Sequence, residues 1–125
     1  VIPGIPCVVQ APDYASHDQV IDRQARWRGG KLRSLQFFVD WGYEWSIWDS
    51  RDGALEHLDG IGVSGELQRK LQTWYQDFVS GHGQGEEWLN TSLRRAWKQR
   101  GEELFADVCY ELWPRADVRP MFRNQ

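Results

Sequence analysis

Redox and metal chemistry have little to work with in this chain, which holds two cysteines, three histidines and one methionine among 125 residues. Cys7 and Cys109 show no metal-ligand spacing, and His17, His57 and His82 lie far apart, in no H-x-x-x-H or E-x-x-H pair. Two reduced thiols in a cytoplasmic protein are therefore expected, with a single disulfide tying down the start of the chain as the alternative. No cofactor or metal is expected. The acids at 49, 52, 56 and 59 lack the position pattern of a twelve-residue calcium loop. No apolar run reaches the length that spans a bilayer, and no lipidation signal is present. The opening Val-Ile-Pro-Gly-Ile-Pro has neither a basic n-region nor a following apolar core, so no signal peptide is read there.

Catalytic motifs are equally scarce. Gly-x-Ser-x-Gly is missing, and Gly60-Ile61-Gly62-Val63-Ser64-Gly65 lacks the lysine of a phosphate-cradling loop. That run reads as a loop turning into a capped helix. No catalytic residue is assigned, although Asp40, Glu44 and Asp49 could gather at one hairpin end as an acid–base pair.

What is present is segregated charge and many rings. Residues 40–66 carry seven acids (Asp40, Glu44, Asp49, Asp52, Glu56, Asp59, Glu66) against one base, Arg51. Residues 1–39 have five bases and three acids, and residues 67–125 have nine and eight, so the net charge of −3 arises in the middle. The same middle segment holds Trp41, Tyr43, Trp45 and Trp48, three of the chain's eight tryptophans among them. Acids interleaved with amphipathic rings suit a basic protein partner. A negative balance makes nucleic acid an unlikely one.

The chain length fits one domain. Pro3, Pro6 and Pro12 make residues 1–13 an extended arm. Ser16-His17-Asp18-Gln19 is a capping box opening a helix that Gly29-Gly30 ends. Residues 32–39, apolar on both faces, read as a central strand; with 44–48, where Trp45 and Ile47 alternate with Glu44, Ser46 and Trp48, they form a hairpin over 32–48. Asp52-Gly53 and Asp59-Gly60 punctuate a loop, and Gly83-Gln84-Gly85 a joint. Leu67, Leu71, Trp74 and Phe78 form one helical stripe; Trp97, Leu104, Val108 and Leu112 form a second, with Gly101 allowing close approach of another element. Residues 117–122 read as a last edge strand. The order gives an α+β fold, a small antiparallel sheet packed by two long helices as a two-layer sandwich.

The pattern Ile61, Gly62, Val63, Ser64, Leu67, Leu71, Trp74, Phe78 follows an acidic loop beginning Trp48-Asp49. With Trp97, Gly101, Leu104, Leu112 and a short final strand, it resembles a group of small, acidic, largely uncharacterised bacterial proteins frequent in actinobacteria. These in turn resemble immunity proteins that neutralise toxins. The resemblance implies a non-enzymatic inhibitor that occludes a basic toxin of the nuclease type. Its carboxylates would be Asp40, Glu44, Asp49, Asp52 and Asp59, and its anchors Trp41, Tyr43 or Trp48. Two other classes fit the residues. One is a toxin or effector domain meeting nucleic acid through Arg94, Arg95 and Lys98; the other is a small enzyme using the acidic cluster.

Overall fold

A computed structural model describes residues 11–51, 53–55, 58–83 and 87–125. Most of the expected arm, Asp52 and the centre of the expected joint at 83–85 lie outside the described residues.

Helix α1 (His17–Arg28) opens on the expected capping box: the Gln19 amide donates to Ser16 Oγ at 3.2 Å and the Ser16 amide to Gln19 Oε1 at 2.9 Å. Strands β1 (Arg33–Phe37), β2 (Ile47–Asp49) and the two-residue β3 (Gly53–Ala54) follow. A one-turn 3-10 helix (Leu58–Ile61) leads into α2 (Gly65–Gly81), whose N-cap Ser64 accepts the Leu67 amide. Then come α3 (Thr91–Leu112), β4 (Ala116–Arg119) and a closing 3-10 turn (Met121–Asn124).

The sheet order is β3-β2-β1-β4, which makes β1 central, as its two apolar faces require. β1 and β2 are antiparallel, with Leu35 opposite Asp49 and Phe37 opposite Ile47. β4, however, runs parallel to β1, Arg33 lying opposite Ala116 and Gln36 opposite Arg119. The sheet is therefore mixed, not antiparallel. The chain reaches β4 only after two long helices, and such a crossover is what a parallel neighbour needs. Both hairpin strands are also shorter than expected. Beyond Phe37, β4 has already stopped before Pro120, and the side-chain amide of Gln125 takes over, bonding the Val39 amide at 3.0 Å and its carbonyl at 2.6 Å.

Leu35, Phe37 and Ile47 from one sheet face are fully buried with both expected helix stripes. At the centre, Trp74 of α2 and Trp97 of α3 stack with centroids 4.3 Å apart and planes within 2°. Each indole N–H donates to the other residue's carbonyl, at 2.9 and 3.0 Å, so neither buried donor is left unpaired. Phe37 stacks on Trp74 at 4.9 Å, and Phe122 meets both edge-on. Gly101 is the close approach its position implied: a Cβ there would lie 2.6 Å from a Phe122 ring atom and 2.7 Å from one of Trp74.

Cys109, buried on α3, is disulfide-bonded, which overturns the reading of two reduced thiols. The other cysteine of the chain, Cys7, lies outside the described residues. The neighbouring residue explains how chain from before α1 comes close. Tyr110 Oη donates to Asp13 at 2.8 Å, and the Tyr14 and Tyr110 rings meet edge-on at 5.0 Å. Among the described residues, no helix is long and apolar enough to cross a membrane.

Candidate binding surface

β1 and β2 are joined by a segment that turns at residues 40–43. Gly42, at φ +85°, takes a conformation that side-chain-bearing residues rarely adopt, so the turn depends on glycine there. The Tyr43 amide returns to the Asp40 carbonyl at 3.3 Å, and Asp40 Oδ1 accepts the Trp41 amide at 2.8 Å. The Gly42 amide donates to Tyr75 Oη of α2 at 3.0 Å, which fastens the turn to the helical layer. The outcome is a fixed turn that presents rings instead of burying them.

Trp41 is 43% exposed and Tyr43 47%. The Trp41 ring leans on Phe78 and His82 of α2's C-terminal end, at 5.0 and 5.2 Å. Tyr43 sets its edge on Trp48 at 5.2 Å. Trp48 is only half-buried; its N–H donates to the Phe38 carbonyl at 3.1 Å and its ring stacks on Phe38 at 4.7 Å. Asp40 and Glu44 are both exposed and make no ion pair among the described residues. Of the eight expected contact residues, these five (Asp40, Trp41, Tyr43, Glu44 and Trp48) come together.

Asp49 does not join them. It is 8% exposed, its Oδ2 holding Arg33 Nε at 2.6 Å and its Oδ1 the Arg51 amide at 2.7 Å. Strand parity accounts for this. Trp45 and Ile47 face the core side, so the next residue in step is Asp49, and its antiparallel register brings Arg33 within reach. Asp52 lies outside the described residues. Asp59 falls within the 3-10 turn Leu58–Ile61, but its side chain is not described. The proposed acid–base trio of Asp40, Glu44 and Asp49 is thus broken at its third member.

Two contributors escaped the sequence reading. Phe38 was taken only as core apolar sequence, yet it forms the floor beneath Trp48. His82 is buried between Phe78, Trp88 and Trp41, with centroids at 4.4, 4.2 and 5.2 Å, and its Nδ1 lies 2.6 Å from the Phe78 carbonyl. Its place just after Gly81 was the available signal.

The basic cluster on α3 is turned to local ends. Arg94 Nε donates to the Gln125 carbonyl at 3.1 Å and Lys98 Nζ to the Arg123 carbonyl at 2.7 Å, while Arg100 pairs with Glu103. Burial first, and then repulsion from Arg94, hold the Lys98 ammonium below its ordinary pKa. Two members of the cluster therefore serve the closing 3-10 turn. No protein-family model, curated protein or solved structure matches the chain.

Proposed function

We propose that this chain is a protein-binding module whose contact surface is the 40–44 turn, with Trp48 and Phe38 behind it. One observation carries the reading: two large rings stand more than two-fifths exposed on a turn fixed by Tyr75, flanked by two acids without ion-pair partners among the described residues. Interfaces concentrate their energy in such aromatic anchors, and rim acids steer a basic partner and set salt dependence. The narrower form is an immunity-type inhibitor that occludes a basic, nuclease-type toxin. The surface is smaller than the whole acidic segment, since Asp49 is already neutralised by Arg33. The disulfide at Cys109 favours an encounter in an oxidising compartment over the cytoplasmic setting expected at first.

The test uses a photo-crosslinking residue in place of Tyr43, in cells of the source organism. One dominant crosslinked protein of basic character is expected, lost in an Asp40→Lys, Glu44→Lys double variant and weakened at least tenfold by Trp41→Ala. Circular dichroism should be unchanged in both. Survival of the same crosslinked product in the double variant removes the acidic turn from the binding surface.

A further inference from the structure

The opposite end of the β1–β2 pair carries the reverse charge. There the segment leaving α1 and the segment leaving β2 enclose a cavity of about 590 Å³, lined among others by Lys31, Arg33, Ser34, Asp49, Ser50 and Arg51. In a chain of net charge −3, the described lining of this cavity gathers three cations around one carboxylate. That carboxylate is already committed at both oxygens, to Arg33 Nε and to the Arg51 amide. Fixing Arg33 through Nε leaves the two terminal nitrogens of its guanidinium as an oriented fork, the geometry that takes two oxygens of one oxyanion. Lys31 and Arg51 form no ion pair among the described residues. Ser50 Oγ donates toward the Ser34 carbonyl and hydroxyl at 3.1 and 3.3 Å, so the Ser34 hydroxyl accepts there and keeps its own proton for another acceptor. Arg33 also lines a second, smaller cavity of about 100 Å³ together with Arg115.

We infer that this cavity binds a phosphate group, free or carried as a monoester on a small hydroxylated molecule. Its chemistry selects that class. Three cations against one satisfied carboxylate favour a dianion over a monoanion. Hydroxyls and a guanidinium fork match tetrahedral oxygens. Among the described residues no aromatic ring lines the cavity, so none of them offers a surface for a nucleobase to stack on. The site is separate from the 40–44 turn and owes nothing to the binding role assigned there.

The experiment follows amide chemical shifts of the whole chain at constant ionic strength. The titrants are inorganic phosphate, a hexose monophosphate, the unphosphorylated hexose and a short single-stranded oligonucleotide. Saturable shifts at residues 30–34 and 49–51 are expected with phosphate or its ester, the tighter of the two naming the source, and none with the bare hexose. Among the described residues the Arg51 and Lys31 side chains make no ion pair; Arg51→Gln and Lys31→Gln should each weaken binding at least tenfold with Tm unchanged, whereas Arg69→Gln on α2 should leave both binding and Tm as in the parent. Non-saturating shifts, equal binding by the two glutamine variants, or an oligonucleotide bound more tightly than either phosphate would overturn the assignment.

Discussion

At the scale of single residues, the least comfortable group in the molecule is Asp117. It sits on β4 beside Arg23, a buried residue whose guanidinium donates to the Trp113 carbonyl at 2.6 Å and lies over the Trp113 ring. The two charges are 3.6 Å apart, too far for a good hydrogen bond, and Asp117 Oδ1 has no hydrogen-bond partner among the described residues. Burial raises the Asp117 pKa and lowers that of Arg23; their mutual attraction opposes both shifts without reversing either. Desolvation thus exceeds the Coulombic gain, the usual difficulty of a buried pair with imperfect geometry. The sign of the pH effect follows. A carboxyl whose folded pKa lies above its unfolded one is held best when protonated. Its destabilising effect is absent below the unfolded value, grows as pH rises from the unfolded value to the folded one, and is complete above the folded one. Asp117→Asn mimics the protonated form, so it should stabilise the fold at pH 7 by about 1 kcal/mol. The gain should vanish when urea melts are repeated near pH 3. A variant less stable than the parent at pH 7 would mean that Arg23 needs the charge after all.

Among elements, the helices were far more legible than the sheet. The stripe Leu67, Leu71, Trp74, Phe78 is local, and every member is buried; the same holds for Trp97, Leu104, Val108 and Leu112. Caps at Ser16 and Ser64 are local too, because the side chain and the amide it accepts are three residues apart. β4 was found as an edge strand, but its direction depends on the path of α3, which no short window contains. Asp49 failed for a different reason. Composition marked it as one more acid of an acidic stretch, while strand parity, a stronger constraint, put it in step with Ile47 and opposite Arg33's strand. Gly101 is where local and tertiary preferences compete openly. Alanine should gain about 1 kcal/mol from helix propensity. The added Cβ would, however, meet the rings of Phe122 and Trp74, which hold each other in place. Overpacking of that kind costs about 1–3 kcal/mol, and two rings at once put the loss at the upper end. Gly101→Ala should therefore lower stability by about 1–2 kcal/mol in denaturant melts, despite being the better helix former. A rise in the midpoint would show that Phe122 can move aside.

Over the whole molecule, the β1–β2 pair acts as an axis with unlike ends. Asp40 and Glu44 flank the turn that follows β1, while Lys31, Arg33 and Arg51 crowd the end where β1 begins and β2 finishes. The net charge of −3 conceals this polarity, and so did the tally by segment, which counted Arg51 merely as the lone exception among acids. Among the described residues such an arrangement would give the basic partner proposed above one attractive end, which would orient its approach. Orientation is useful only if the molecule is rigid; the described segment ahead of α1 is held to α3 by Asp13 and Tyr14, and Cys109 of α3 is disulfide-bonded. Removing a native disulfide from a small domain typically costs about 2–5 kcal/mol, in large part through the freedom it returns to the unfolded chain. Cys109→Ala and chemical reduction of the parent should accordingly lower Tm by similar amounts, since both release the same tie. Alkylation of the unfolded, unreduced parent should add no mass, and after reduction it should modify both cysteines. Alkylation before reduction would mean that the tie is absent, leaving among the described contacts the Asp13 and Tyr14 bonds to Tyr110, the Arg23 cluster and the Arg26–Pro114 bond.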